Sequence, residues 1–254
     1  MAGDLTHHGK VALNTLWQTL LDWLQSLGLA LGDGLLGQTA PMASQVSEKM
    51  DMPSLLALAA ALGWASGFRL YAVVFLVGLS GAAGWIMLPS DLVVLQHPAM
   101  LTASGVMLFV EFFADKIPGL DSLWDMVHSV IRIPAGAALA AAALGADSAT
   151  MGLAAALLGG SLAATSQAAK TTTRAAINTS PEPFSNILAS LFEDGLVVAA
   201  VWLASAYPLV FGIVLVVTVV LMWVVTVSLF RFLRGVIRRF VAFFDNSEKG
   251  DLNV

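Results

Sequence analysis

Residues 209–230 read LVFGIVLVVTVVLMWVVTVSLF, an apolar run without a charge, and the chain then turns at once to Arg231, Arg234, Arg238 and Arg239. About 20 apolar residues carry a helix across the hydrocarbon of a bilayer. Lipid is therefore the natural solvent of this segment, and the basic cluster behind it marks where the chain returns to water. The whole composition agrees. Of 254 residues, 58% are hydrophobic and 11% charged, where a soluble domain carries about 25% charged residues. A chain this poor in charge does not cover a water-exposed surface.

Working back from that run, five more apolar stretches appear, at about 54–79, 96–114, 133–146, 151–169 and 187–206. The third is short and recruits the turns before Pro134. Eleven of the twelve basic residues then fall on one side: Lys10 and Lys49 before the first span, Lys116 and Arg132 after the second, Lys170 and Arg174 after the fourth, and the Arg cluster with Lys249 after the sixth. Basic residues stay cytoplasmic. The expectation is a multi-pass protein of a bacterial inner membrane with both termini in the cytoplasm. The first residues lack a signal peptide: Asp4 and His7-His8 stand where a basic region belongs. Two groups of three spans entering from opposite sides meet the formal requirement of a 3+3 inverted repeat. The expected fold is an all-α integral membrane protein of six transmembrane helices, residues 53–232, with a cytoplasmic tail at 233–254.

Residues 1–52 are expected to hold an amphipathic helix and a linker. Between Lys10 and Leu27 the apolar positions Leu13, Leu16, Trp17, Leu20, Leu21 and Leu24 recur at three- and four-residue steps. Asn14, Gln18, Asp22 and Gln25 occupy the other side. Asp22 argues for a helix lying in the interface or on a partner rather than crossing.

Charges in lipid are costly and mark sites. Arg69 is the basic residue inside a span, preceded by Gly63 and Gly67. It is expected to meet acids, either as a structural ion pair or as a substrate contact. Glu111 and Asp115 lie one turn apart on one face, able to hold a proton or share a cation. In the second half Arg174, Glu193 and Asp194 complete the primary set. Lys116, Lys170, Asn178 and Glu182 are secondary candidates. So are Asp121, Asp125 and His128, spaced i, i+4 and i+7, either as metal ligands or, as we prefer, as the solvated face of an interfacial helix with Leu120, Leu123, Trp124 and Val127 in lipid. The small-residue stretch 135–163 fits tight helix packing in the bundle or an oligomer interface. With no cysteine, disulfides and thiolate chemistry are excluded. No catalytic motif stands out, no cofactor is expected, and nothing points to nucleic acid.

ADKIPGLDSLWDMVHSVIRIPAGA (114–137) and NTSPEPFSNILASLFEDG (178–195) resemble an uncharacterised bacterial integral-membrane family filed as a domain of unknown function, DUF4126 type, over about residues 55–206. That resemblance implies a membrane protein and carries no activity. EFFADK (111–116) is also similar to the E-x-G-D-K motif of a cation-exchanger family with inverted repeats, with one more residue in the spacing. The leading expectation is a small secondary transporter or channel for a cation or a proton-coupled solute. The alternatives are a scaffold or accessory subunit of a larger membrane complex, or a homo-oligomer, and an intramembrane enzyme acting on lipid. The bilayer and a small ion or solute are the expected partners.

Overall fold

The computed structural model describes residues 50–117, 119–145, 149–179 and 183–251, with side chains up to Arg239. These residues are helical and contain no strand. In order they form α1 (Met52–Ala82), a 3-10 helix η1 (Ser90–Gln96), α2 (Pro98–Ala114), α3 (Leu120–Leu144), α4 (Ala149–Ile177), α5 (Pro183–Ala206) and α6 (Pro208–Asp251). Five of them, α1 and α3 to α6, are long and apolar enough to cross a membrane, and η1 joins α2 at a 67° bend. Large apolar side chains cover the outside, among them Phe109, Leu188, Phe192 and Trp223. This is the surface of an α-helical membrane protein. The expectations for residues 10–27 and for Glu182 lie outside the described residues.

Helix α1 overturns the expectation that residues 54–79 form one straight span. A straight helix of 31 residues would be about 46 Å long. Yet Asp51, Ser54 and Leu58 line the same cavity as Trp85, Ile86 and Met87. The helix folds back on itself, and the fold is at Arg69, whose φ of −147° and ψ of 83° are not helical. The arm 52–68 descends and the arm 70–82 returns. The neighbours agree. Gly63 and Ser66 lie against Gly136 of α3, while Leu70, Tyr71 and Val74 on the return arm face Ala135, Ala138 and Leu139 of the same helix. The hydropathy of the sequence is blind to this turn, because both arms are apolar.

The other directions follow from side-chain pairs. Arg132 of α3 reaches Gln167 of α4, and Gly136 lies beside Gly159, so the two helices run antiparallel. Gly63 meets Gly159 and Gly67 meets Ser166, so the first arm of α1 runs parallel to α4. On the return arm Gly78 lies by Leu101 and Gly105 by Phe75, antiparallel to α2. Both ends of α1, the start of α2 and the end of α5 therefore share one face. The end of α2, the start of α3, the end of α4 and the start of α5 lie towards the opposite face. At 44 residues α6 is about 66 Å long, twice the roughly 30 Å hydrocarbon layer. It projects from that opposite face with Arg231, Arg234, Arg238 and Arg239 exposed.

The third span is longer than its apolar core: α3 starts at Leu120 and runs through Pro134. This corrects the preferred reading of Asp121, Asp125 and His128. They are buried, not solvated, and the apolar Leu123, Met126, Val127 and Val130 face outward. The small-residue stretch packs inside. A Cβ on Gly63 would fall 2.5 Å from Cα of Gly159, and one on Gly67 would overlap Ser166 Oγ and the Ala163 carbonyl. Gly195, by contrast, has nothing within 4 Å of an added Cβ. Gly67→Val is expected to abolish the folded monomer peak in detergent, because a backbone carbonyl blocks the added atoms. Gly195→Ala is expected to leave the melting temperature within a degree or two. Equal loss in both would contradict this packing.

Candidate functional site

Arg69 sits where the break releases its neighbours from helical bonding. The carbonyl of Phe68 accepts a bond from Lys170 Nζ at 3.1 Å instead. Arg69 is fully buried. It pairs with Asp115 at 2.9 Å and Asp194 at 2.7 Å, and donates to Ser190 Oγ at 2.6 Å. A lone guanidinium at this depth would be costly; here the partners come from the end of α2 and from α5.

From Arg69 the pairs run on without a gap. Asp115 also faces Lys170 at 3.3 Å and Arg174 at 3.8 Å. Lys170 meets Asp125 at 3.0 Å and Glu193 at 3.4 Å. Arg174 grips Glu193, Nε to Oε1 at 3.3 Å and NH2 to Oε2 at 3.1 Å. Asp125 accepts from Arg132 at 2.7 Å, and the other terminal nitrogen of Arg132 pairs with Glu111. Among the described residues the network joins four bases, Arg69, Arg132, Lys170 and Arg174, to five acids, Glu111, Asp115, Asp125, Glu193 and Asp194. Asp115 lies just past the end of α2. Burial alone would push its carboxyl up, but Lys170, Arg69 and Arg174 around it hold it below its ordinary value.

All six primary candidates are thus brought together: Arg69, Glu111, Asp115, Arg174, Glu193 and Asp194. Lys170 and Asp125 join them. Asp121 and Asn178 form a cap beside the network. Asp121 accepts from the Gly119 N–H at 2.8 Å and from Asn178, which in turn accepts from Asn186 at 2.8 Å. His128 stands at the edge. It stacks on Trp124 with ring centroids 4.0 Å apart, donates Nδ1–H to the Trp124 carbonyl at 2.9 Å, and meets Tyr71 edge-on. Lys116 stands at the edge of the network: its ammonium donates to the Phe112 carbonyl at 3.0 Å and lies over that ring, and its charge acts on Asp194 and Asp115. No group of three acids or histidines among the described residues is placed to hold a metal ion.

Sequence reasoning misses Arg132, Asn186, Ser190 and Gln167 as members of the site. Hydropathy puts Arg132 in a loop. Once α3 is extended back to Leu120, Asp121, Asp125, His128 and Arg132 fall at i, i+4, i+7 and i+11, one stripe on one helix. That stripe is the signal that finds Arg132. Ser190 carries none, since only the fold of α1 brings it to Arg69.

Two apolar cavities flank α5 and touch the network from opposite sides. One, about 340 Å³, lies between α4, α5 and α6 and reaches Lys170 and Glu193 past Phe68 and Phe192. The other, about 400 Å³, lies over the return arm of α1 and reaches Asp194 past Phe75, Phe109 and Phe112. Consecutive residues of one helix thus border two separate spaces.

Residues 56–228 match the family described as Domain of unknown function (DUF4126), and the chain belongs to that family. No curated protein and no solved structure matches the chain.

Proposed function

We propose that this DUF4126 protein is a small secondary transporter whose site is the ion-pair network around Arg69. The observation that carries the reading is the broken helix. Backbone is interrupted inside membranes only where it is buried in protein or lines a water-filled cavity, and in transporters such breaks lie at the ion or solute site; here the break bears a buried Arg with acids from two other helices. The cavities at Glu193 and Asp194 support the same reading by giving the network two approaches. An accessory-subunit role is favoured by a different observation: Arg69 is ion-paired to both Asp115 and Asp194, and Arg69 and Glu111 are fully buried. Glu193→Gln separates the two. Under the transport reading it preserves folding, and pH-driven flux in proteoliposomes falls at least tenfold. Lost thermal stability with unchanged flux rejects transport.

For orientation, Lys116 and the four exposed Arg of α6 support a reading in which the face where α2 ends and α6 emerges is the cytoplasmic one of a bacterial inner membrane. Arg132, Lys170 and Arg174 do not enter that count, because they are buried in the bundle. On this path the start of α1 is external. An inverted repeat of three and three is not supported by the directions of the helices, since the first arm of α1 runs parallel to α4. The chain has no cysteine, so single cysteines report cleanly. A label that cannot cross the membrane should reach Ser54→Cys from outside and Arg238→Cys only after permeabilisation. Protection of Ser54→Cys from the external label would contradict the path.

A further inference from the structure

Asp194 is the one acid of the network that opens on a cavity with its charge uncovered. Its side chain is 29% exposed, whereas those of Glu111, Asp115, Asp125 and Glu193 are at most 6% exposed. Arg69 Nε holds Oδ1 at 2.7 Å. Beyond that pair Asp194 borders the cavity of about 400 Å³ between the return arm of α1, α2 and α5. A carboxylate facing hydrocarbon is costly, so whatever fills this space has to suit a negative charge. The remaining lining is apolar and in good part aromatic: Phe75 comes from α1, Phe109 and Phe112 from α2. Phe113 positions two of these rings, with centroids 4.7 Å from Phe109 and 5.5 Å from Phe112. Gly105 leaves the Phe75 ring uncovered, since a Cβ there would come within 3.2 Å of Cε2. The volume lies in the range of about 300–1,000 Å³ usual for ligand sites.

The face of an aromatic ring attracts cations, and one ring of this cavity already holds one. The ammonium of Lys116 lies 2.8 Å from the centroid of Phe112, and its charge acts on Asp194. Lys116 is half-buried and stands just past α2, at the face from which α6 projects. Its long side chain can therefore turn from the ring to water. The cavity between α4, α5 and α6 lacks these features. Its charged residues, Lys170 and Glu193, are buried, and Glu193 is held by Lys170 and Arg174 together.

We infer that the cavity at Asp194 binds a lipophilic organic cation of the quaternary ammonium or phosphonium class, with Asp194 as counter-ion and the three Phe rings as its cage, in exchange for the ammonium of Lys116. The exchange leaves the charge of the site unchanged, because one cation turns out to water as another enters. That the bound cation is the transported solute rests on the transport reading; the binding site itself does not.

Calorimetric titration of the full chain in detergent with tetraphenylphosphonium tests it, with tetraphenylborate as an ion of the same shape and opposite charge. Saturable binding of the phosphonium at one site per chain is expected, and none of the borate. Phe112→Leu keeps an apolar side chain and should weaken binding about tenfold, the worth of a desolvated cation–π contact. Asp194→Asn should weaken it at least as much. Lys116→Met removes the competing ammonium and should tighten it severalfold. Should Asp194→Asn fail to fold, Phe112→Leu and Lys116→Met still decide, since neither residue pairs with Arg69. No saturable binding of the phosphonium overturns the inference, and so does unchanged affinity in folded Phe112→Leu and Lys116→Met. Equal binding of the two ions also overturns it and marks the cavity as a purely apolar one that takes a lipid chain. Phosphonium binding without flux in proteoliposomes keeps the site and rejects transport. Flux driven by pH without phosphonium binding keeps transport and overturns the inference.

Discussion

Replacing Arg132 with Met is expected to lower stability more than any other single change to a charged side chain of the network. The guanidinium is the one base of Glu111 and one of two for Asp125, and it also donates to Gln167 at 3.0 Å. Breaking a buried pair by removing one partner costs about 3–5 kcal/mol, and here two acids lose a partner together. The expected outcome is loss of the folded monomer in mild detergent, or a melting temperature lower by ten degrees or more. The triple variant Arg132→Met, Glu111→Gln and Asp125→Asn should recover a large part, because the acids left behind are then neutral. No recovery would show that Arg132 acts through packing rather than charge.

Lys170→Met is expected to rank second. Its ammonium faces Asp115, Asp125 and Glu193, and it caps the Phe68 carbonyl freed by the break. The loss is again about 3–5 kcal/mol by the same argument. The comparison with Asp115→Asn is the informative one. Removing Lys170 leaves three buried acids short of a partner at once, whereas Asp115→Asn removes one charge and keeps a side chain that still accepts hydrogen bonds. Asp115→Asn should therefore cost clearly less than Lys170→Met, although Asp115 faces three bases. The reverse order, read as melting temperatures in one detergent, would contradict this ranking.

Much of this site is legible in the amino-acid sequence. Buried charge is so costly in lipid that Arg69, Glu111, Asp115, Glu193 and Asp194 have to find one another, and composition alone places them in or beside apolar runs. Lys170 and Arg174 are visible as charges, but a window of hydropathy ends where polar residues begin and so puts both in a loop. The fold carries α4 on to Ile177 and buries them. Arg132 is lost for the same reason at the start of α3. The fold-back at Arg69 is not legible. Its cause is one residue out of helical conformation in a run of apolar neighbours, and the partners that stabilise it, Lys170, Ser190, Asp115 and Asp194, are 46 to 125 positions distant in sequence.

The fold of α1 is also the point on which the functional reading depends, since a straight first span would remove the break from the site. Spin labels at Ser54→Cys and Ile86→Cys, in a chain that has no other cysteine, measure it directly by double electron–electron resonance in nanodiscs. Both residues border one cavity, so the account predicts a narrow distribution of distances, roughly 10–25 Å including the label arms. Ile86 is bonded back to the Ser80 carbonyl, so a straight helix rising about 1.5 Å per residue would separate the two by roughly 40 Å. A distribution centred there would contradict the account.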